Sequence, residues 1–197
     1  MAPILPATRR RRQPGTMDIA GGASIPGVRV VAGIAGGRRL QAPAGHEVRP
    51  TSDRVREAIF SSLESMGAVG GASVVDLFAG SGALGIEALS RGARSATFVD
   101  NDRTAVAAVE ANLASTGLDG GTVVRADVLR WLDGADAVDL ALVDPPYSFN
   151  GWDRLFSRIN AELVVAESDR ELERPDGWAY LKVRRHGGTV VHLAAPD

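Results

Sequence analysis

Residues 72–92, ASVVDLFAGSGALGIEALSRG, pass from an unbroken apolar stretch through a glycine-rich turn into a helical pattern closed by Gly92. A strand with no polar alternation is buried on both faces, which places it inside a parallel sheet covered by helices on each side. The rest of the chain repeats the pattern. SATFVD (95–100), GTVVRAD (121–127), AVDLALVD (137–144) and ELVVAESD (162–169) read as further strands. Between them, DRTAVAAVEANLAST (102–116) is an amphipathic helix, VLRWL (128–132) a short one and WDRLFSRIN (152–160) a weak one. GWAYLKVRR and GTVVHLAA end the chain as an expected β-hairpin. The predicted fold is therefore a doubly wound, Rossmann-like α/β domain with a mainly parallel seven-stranded sheet.

Ahead of this core, RVVAGIAGGRRLQ (29–41) has two short strand-like pieces around glycines, which predicts a second hairpin. TSDRVREAIFSSLESM (51–66) sets Val55, Ile59, Phe60 and Leu63 at helical spacing, with Thr51 or Ser52 as N-cap. Residues 1–28, rich in Ala, Pro, Gly and Arg without a hydrophobic period, read as a disordered basic tail. The expected organisation is that tail, an N-terminal extension over 29–66 and a catalytic-type domain over 67–197.

At 197 residues the chain suits one domain with an appendage. It has no cysteine and three scattered histidines (His46, His186, His192), so no metal is expected. No apolar run approaches the roughly 20 residues of a bilayer span, and a soluble, cytoplasmic monomer is expected. The net charge of −2 conceals an asymmetry: residues 1–60 carry ten arginines against four acids, and the remaining 12 basic and 20 acidic residues follow. A front half at +6 on a body at −8 suggests a polyanion docked on one side, the alternative being a solvated tail around Arg9 to Arg12.

In doubly wound sheets ligands lie beyond the carboxyl ends of the strands, where the motifs of this chain fall. Gly80-Ser81-Gly82-Ala83-Leu84-Gly85 matches GxGxxG, and Asp100 follows Gly80 by twenty residues. Taken alone, this fits a dinucleotide as well as any other nucleoside cofactor. Asp76 sits within the strand, four residues before Gly80, where a dinucleotide site keeps apolar residues, and a carboxylate there suits a cationic ligand. DLFAGSGALG is similar to the first motif of class I methyltransferases, whose cofactor S-adenosyl-L-methionine carries an ammonium and a sulfonium and no phosphate. Asp100 then reads as a partner for ribose hydroxyls or as a helix-terminal acid. Asp127 reads as an adenine contact, taken from the resemblance, or as the cap of the following helix.

Asp144-Pro145-Pro146-Tyr147 ends the fourth strand as a stiff extended tetrapeptide, because each proline fixes its φ and pushes its predecessor from helical geometry. Methylation of an exocyclic amine requires the nitrogen to be oriented, and the Asp144 carboxylate and Pro145 carbonyl are candidate acceptors for its two N–H groups. Pro146 holds the turn. Tyr147 offers a face for an extruded base, worth about 1–3 kcal/mol by analogy with single-strand binders. The bland alternative is a proline-terminated strand with a surface aromatic.

This tetrapeptide resembles the (Asn/Asp/Ser)-Pro-Pro-(Tyr/Phe/Trp) motif of nucleic-acid amino-methyltransferases, which permits adenine N6, cytosine N4 or guanine N2 as acceptor. The front segment RVVAGIAGGRRLQAPAGHEVRPTSDRVREAIF, with FVDNDR, VDPPY and VVAESD, resembles the bacterial 16S ribosomal RNA guanine-N2 methyltransferase family over about residues 29–195. The resemblance implies methylation of a guanine of the 966 type, in the small subunit or its assembly intermediate. It carries cofactor binding to Asp76, Phe78, Gly80, Gly82, Asp100, Asn101, Asp127 and Val128, and catalysis to Asp144, Pro145, Pro146 and Tyr147. RNA contacts fall on Arg29, Arg38, Arg39, Arg49, Thr51, Arg54 and Arg56, although Arg54 and Arg56 also read as a helix face paired with Asp53 and Glu57. Ser52, where the family often has threonine, and a short segment after Tyr147 depart from the pattern. Alternatives are a DNA adenine or cytosine amino-methyltransferase, a non-catalytic RNA-binding assembly factor and a dinucleotide oxidoreductase.

Overall fold

The computed structural model describes residues 28–44 and 53–197. Seven strands form one sheet in the order β3-β2-β1-β4-β5-β7-β6. They are β1 (Ser73–Leu77), β2 (Ser95–Asp100), β3 (Gly121–Arg125), β4 (Val138–Val143), β5 (Ala161–Ser168), β6 (Trp178–His186) and β7 (Thr189–Pro196). The first five run parallel, while β7 is antiparallel to both β5 and β6. The central strands read as unbroken apolar runs because helices cover both faces. On one face, α1 (Asp53–Ser65), α2 (Ala83–Ser90) and α3 (Arg103–Thr116) bury Phe60, Leu63, Ile86 and Val109 against Val74, Leu140, Leu142 and Val165. On the other, α4 (Val128–Leu132) and α5 (Trp152–Phe156) bury Leu132, Leu155 and Phe156 against Val75, Leu77, Val143 and Val164. Strand order reverses between β1 and β4, so the crevice of this fold opens at the ends of β2, β1 and β4.

The segment before α1 differs from a regular hairpin. It has a single antiparallel bridge, Arg29 to Arg39, supported by the N–H groups of Val30 and Leu40 donating to the Arg38 and Val28 carbonyls. The intervening backbone bonds to α2 instead of to a second strand. Val31 and Ala32 N–H donate to the Glu87 carboxylate at 2.7 and 3.0 Å, and Ile34 and Ala35 N–H donate to the Ser90 carbonyl and hydroxyl. Gly33, at φ +79°, permits this approach, since a Cβ there would stand 1.9 Å from the Ser90 carbonyl oxygen. Val28, at the end of the composition-defined tail, is buried with Val30 and Leu40 in the same core as the sheet. Thr51 and Ser52, the expected caps of α1, and the tail over 1–27 lie outside the described residues. Among the described residues no helix is long and apolar enough to cross a membrane.

Candidate active site

Three carboxylates stand at neighbouring strand ends. Asp76 pairs across the sheet with Phe98 and Leu142, Asp100 ends β2, and Asp144 follows Val143, whose partner is Leu77. Asp76 is 2% exposed and its Oδ2 accepts the Gly85 N–H at 2.8 Å. Burial holds its pKa well above the ordinary carboxylate value; the Gly85 hydrogen bond opposes this, and Asp144 and Asp100 push the same way as burial. The close packing depends on glycine, because a Cβ on Gly85 would lie 2.4 Å from the Phe98 ring and 3.1 Å from Asp76 Oδ2.

Asp100 reaches across to the glycine loop. Its Oδ2 accepts the Gly80 N–H at 2.9 Å and its Oδ1 accepts the Asp102 N–H at 2.9 Å. Capping of α3 belongs to Asp102, which accepts from Thr104 and Ala105 N–H, so Asp100 is available for another role. Gly80 turns at φ +56°, and a Cβ there would meet no protein atom nearer than 3.9 Å, so its backbone borders open space. Gly82, also left-handed, starts α2. Asn101 is exposed, and its carbonyl accepts from Arg125 Nε. Asp127 is exposed and caps α4, its Oδ1 accepting the Arg130 N–H at 3.0 Å. The Val128 side chain is buried in the core beneath α4, leaving its main chain as the part a ligand could meet.

The Asp144-Pro145-Pro146-Tyr147 turn is built onto the same edge. Asp144 N–H donates to the Leu77 carbonyl, extending the β1–β4 ladder by one residue, and the Pro146 carbonyl accepts the Phe149 N–H at 2.8 Å. Pro145 is buried, whereas Tyr147 is 43% exposed. Phe78, the sole non-glycine residue with positive φ among those described, packs its ring on Phe149 at 5.1 Å. Phe149 in turn meets Trp152 edge-on at 5.4 Å. The loop after β1 and the turn after β4 are thus braced against each other by aromatic contact.

The expected RNA-contact residues divide. Arg54 and Arg39 are exposed, Arg29 pairs with Asp53 at 2.8 Å, and Arg38 donates to the Ser115 carbonyl. Arg49 and Thr51 lie outside the described residues. Arg56 is a correction. It is 1% exposed, donates to the Arg29 carbonyl and to Asp53 Oδ1, and lies 3.9 Å from Glu87, so it holds the N-terminal segment to α1 and cannot meet a phosphate. Glu57, its expected helix-face partner, pairs with Arg91 at 2.7 Å. Two residues escaped the sequence reading. Glu87, buried in α2, receives the N-terminal backbone, and Asn112, buried in α3, bonds to both Gln41 and Ser81. Their signal was a polar residue on an otherwise apolar helix face.

The donor set suits a cationic, phosphate-free nucleoside better than a dinucleotide: three clustered carboxylates would repel a pyrophosphate, while Asp100 and the open Gly80 backbone can receive a ribose. Fold and site together define a class I methyltransferase architecture. The chain belongs to the family described as Conserved hypothetical protein 95, which matches residues 28–195. YlbH of Bacillus subtilis (strain 168) is 39% identical over 161 residues, 76% of this chain and 86% of that protein. Ribosomal RNA small subunit methyltransferase D of Haemophilus influenzae is 33% identical over 174 residues, 81% of this chain and 89% of that protein. The solved structure of yhhF from Escherichia coli superposes with a TM-score of 0.77 at 31% identity, over 87% of this chain and 98% of that one.

Proposed function

We propose that the protein methylates the exocyclic N2 of a guanine of the 966 type in 16S ribosomal RNA, within the small subunit or its assembly intermediate. The observation that carries this reading is the placement of Asp144 at the end of β4, beside Asp76 and Asp100 on the strands next to it. Kinship to a small-subunit ribosomal RNA methyltransferase supports the substrate. When bound, S-adenosyl-L-methionine supplies an electrophilic methyl group on a sulfonium. Asp100 would accept the ribose hydroxyls, the Gly80 and Gly82 backbone would receive the nucleoside, and Asp76 would supply the counter-charge to the ammonium. Asp127, through the carboxylate oxygen not used in capping, and Asn101 and Val128 border the adenine.

On the acceptor side, the Asp144 carboxylate and Pro145 carbonyl accept hydrogen bonds from the two N–H groups of the amine and draw its lone pair out of conjugation with the ring. Methyl transfer leaves that nitrogen with one proton too many, and Asp144 is the acceptor for it. Tyr147 stacks on the extruded base. Rigidity of the diproline turn keeps both acceptors in place, so positioning supplies most of the rate. The test is mass mapping of 16S RNA from cells with and without the gene, together with transfer of labelled methyl to subunits by purified protein. N2-methylguanine present only with the gene is the expected result; methyl on adenine or cytosine, or on duplex DNA, overturns the assignment.

A further inference from the structure

We propose that the face of β6 turned toward α1 is a second docking groove, taking the ribose–phosphate backbone of the RNA beside the target nucleotide. Its floor is Val165, Val191 and Leu193, its α1 wall is formed by Ala58, Ile59 and Ser62, and Lys182, Arg184 and His186 stand along β6. These three side chains occupy alternate positions on the strand and so share one side of the sheet, with Lys182 and Arg184 as its cations. No acid lines the groove, and among the described residues neither Lys182 nor Arg184 has an ion-pair partner. Lys182 Nζ spends one hydrogen on Ser62 Oγ at 2.9 Å, which leaves two for a ligand. The carboxylate nearest along the sheet, Glu167, is 2% exposed on β5.

Register ties this groove to the catalytic edge. Arg184 pairs with Val191, which pairs with Glu167, and Ala166 pairs with Val143, the residue before Asp144. Arg184 therefore lies level with Asp144, three strand spacings away, or about 14 Å at about 4.8 Å per strand. On α1, Ala58 and Ser62 share a helical face with Arg54, one turn nearer the N-terminus, so the exposed Arg54 continues the cationic row. Charges that merely protect an edge strand need no apolar groove beside them. Unpaired cations over an apolar floor fit phosphates and the sugars or bases between them.

The inference rests on the reading that ribosomal RNA is the substrate. Its test compares full-length protein with the Lys182→Gln/Arg184→Gln variant, both residues being exposed. Binding and methylation of small subunits lacking the modification are measured across a salt series, with S-adenosyl-L-methionine affinity as control. The variant is expected to need about tenfold more subunit for half-maximal rate and to lose about 1.4–1.8 from the slope of log affinity on log salt, for two phosphate contacts. Cofactor affinity stays unchanged, and Lys182→Arg/Arg184→Lys restores most binding. A photo-crosslinker at position 62 of the otherwise unaltered protein attaches to RNA. An unchanged salt slope in the variant, or crosslinks confined to a ribosomal protein, overturns the groove; failure of the parent to methylate subunits overturns the substrate reading instead.

Discussion

The side-chain amide of Asn112 donates to the Ser81 carbonyl at 2.8 Å, reaching from α3 into the glycine loop. The same amide donates to the Gln41 carbonyl at 2.9 Å, and its oxygen accepts the Gln41 N–H at 2.7 Å. One fully buried side chain therefore joins the N-terminal segment to the loop that borders the proposed cofactor. Asn112→Ala leaves the Gln41 and Ser81 carbonyls and the Gln41 N–H without this partner, and is expected to reduce stability by roughly 1–3 kcal/mol in urea unfolding. S-Adenosyl-L-methionine affinity measured by calorimetry is expected to fall with it, because the loop loses its brace. Unaltered cofactor affinity would mean that the loop holds its shape without Asn112.

Asp144→Ala separates chemistry from cofactor binding. The residue follows β4 and its backbone stays anchored on Leu77 whichever side chain it carries. Turnover is expected to drop by roughly two to three orders of magnitude, by analogy with loss of one oriented hydrogen bond at a reacting centre. Cofactor affinity is expected to stay within a few-fold. A loss of affinity as large as the loss of rate would move Asp144 from the acceptor side to the cofactor side.

Asp100→Ala is expected to do the reverse. The ribose loses a charged acceptor and Gly80 loses the partner of its N–H, which should weaken cofactor binding by roughly 1–3 kcal/mol. Asp102 caps α3 with its own carboxylate and loses only the Asp100 acceptor of its N–H, so most of the helix cap should persist. Calorimetry with parent-like affinity would remove Asp100 from the ribose site.

Asp76 makes stability depend on pH. Its folded pKa lies above the ordinary value of 3.8, so between the two values the folded state binds more protons than the unfolded one. Stability from this group is present below that window and declines as pH rises through it. Asp76→Asn keeps an acceptor for the Gly85 N–H without the buried charge. Urea unfolding of cofactor-free protein at about pH 5 and about pH 8 should show the variant gaining on the parent as pH rises. At neutral pH it should bind the cofactor more weakly, since the ammonium has lost its counter-charge. A gap between the two proteins that is flat with pH would show that Asp76 ionises as readily folded as unfolded.

Most of the sheet was legible because continuous apolar runs admit few other fates: strand SATFVD has the ends that its pattern predicted, as does the short helix VLRWL. The glycine loop and the diproline turn were legible for the same reason, since their backbone demands are local. What escaped were partnerships across long sequence separations. Glu87 reads as one more helix acid until Val31 and Ala32 are seen to donate to it from more than fifty residues away. The N-terminal hairpin is held by one bridge, Arg29 to Arg39, because the backbone between finds partners on α2. Arg56 looked like a twin of Arg54, two positions apart on one helix, but successive helical positions face different ways and only one of the pair meets solvent.

That contrast makes the last prediction. Arg54→Gln should leave unfolding free energy unchanged within error, because the side chain is exposed. If it meets one phosphate of the ribosomal substrate, the slope of log affinity on log salt should flatten by about 0.7–0.9. Arg56→Gln should do the opposite. It removes the donor to the Arg29 carbonyl and to Asp53, and takes a cation from beside the buried Glu87, so stability should fall by roughly 1–3 kcal/mol. Its salt slope, measured where the protein is still folded, should match the parent's, since a side chain that is 1% exposed has no phosphate to lose. Equal salt slopes for all three proteins would take Arg54 off the RNA surface and leave substrate recognition to other basic residues of the front segment and to β6.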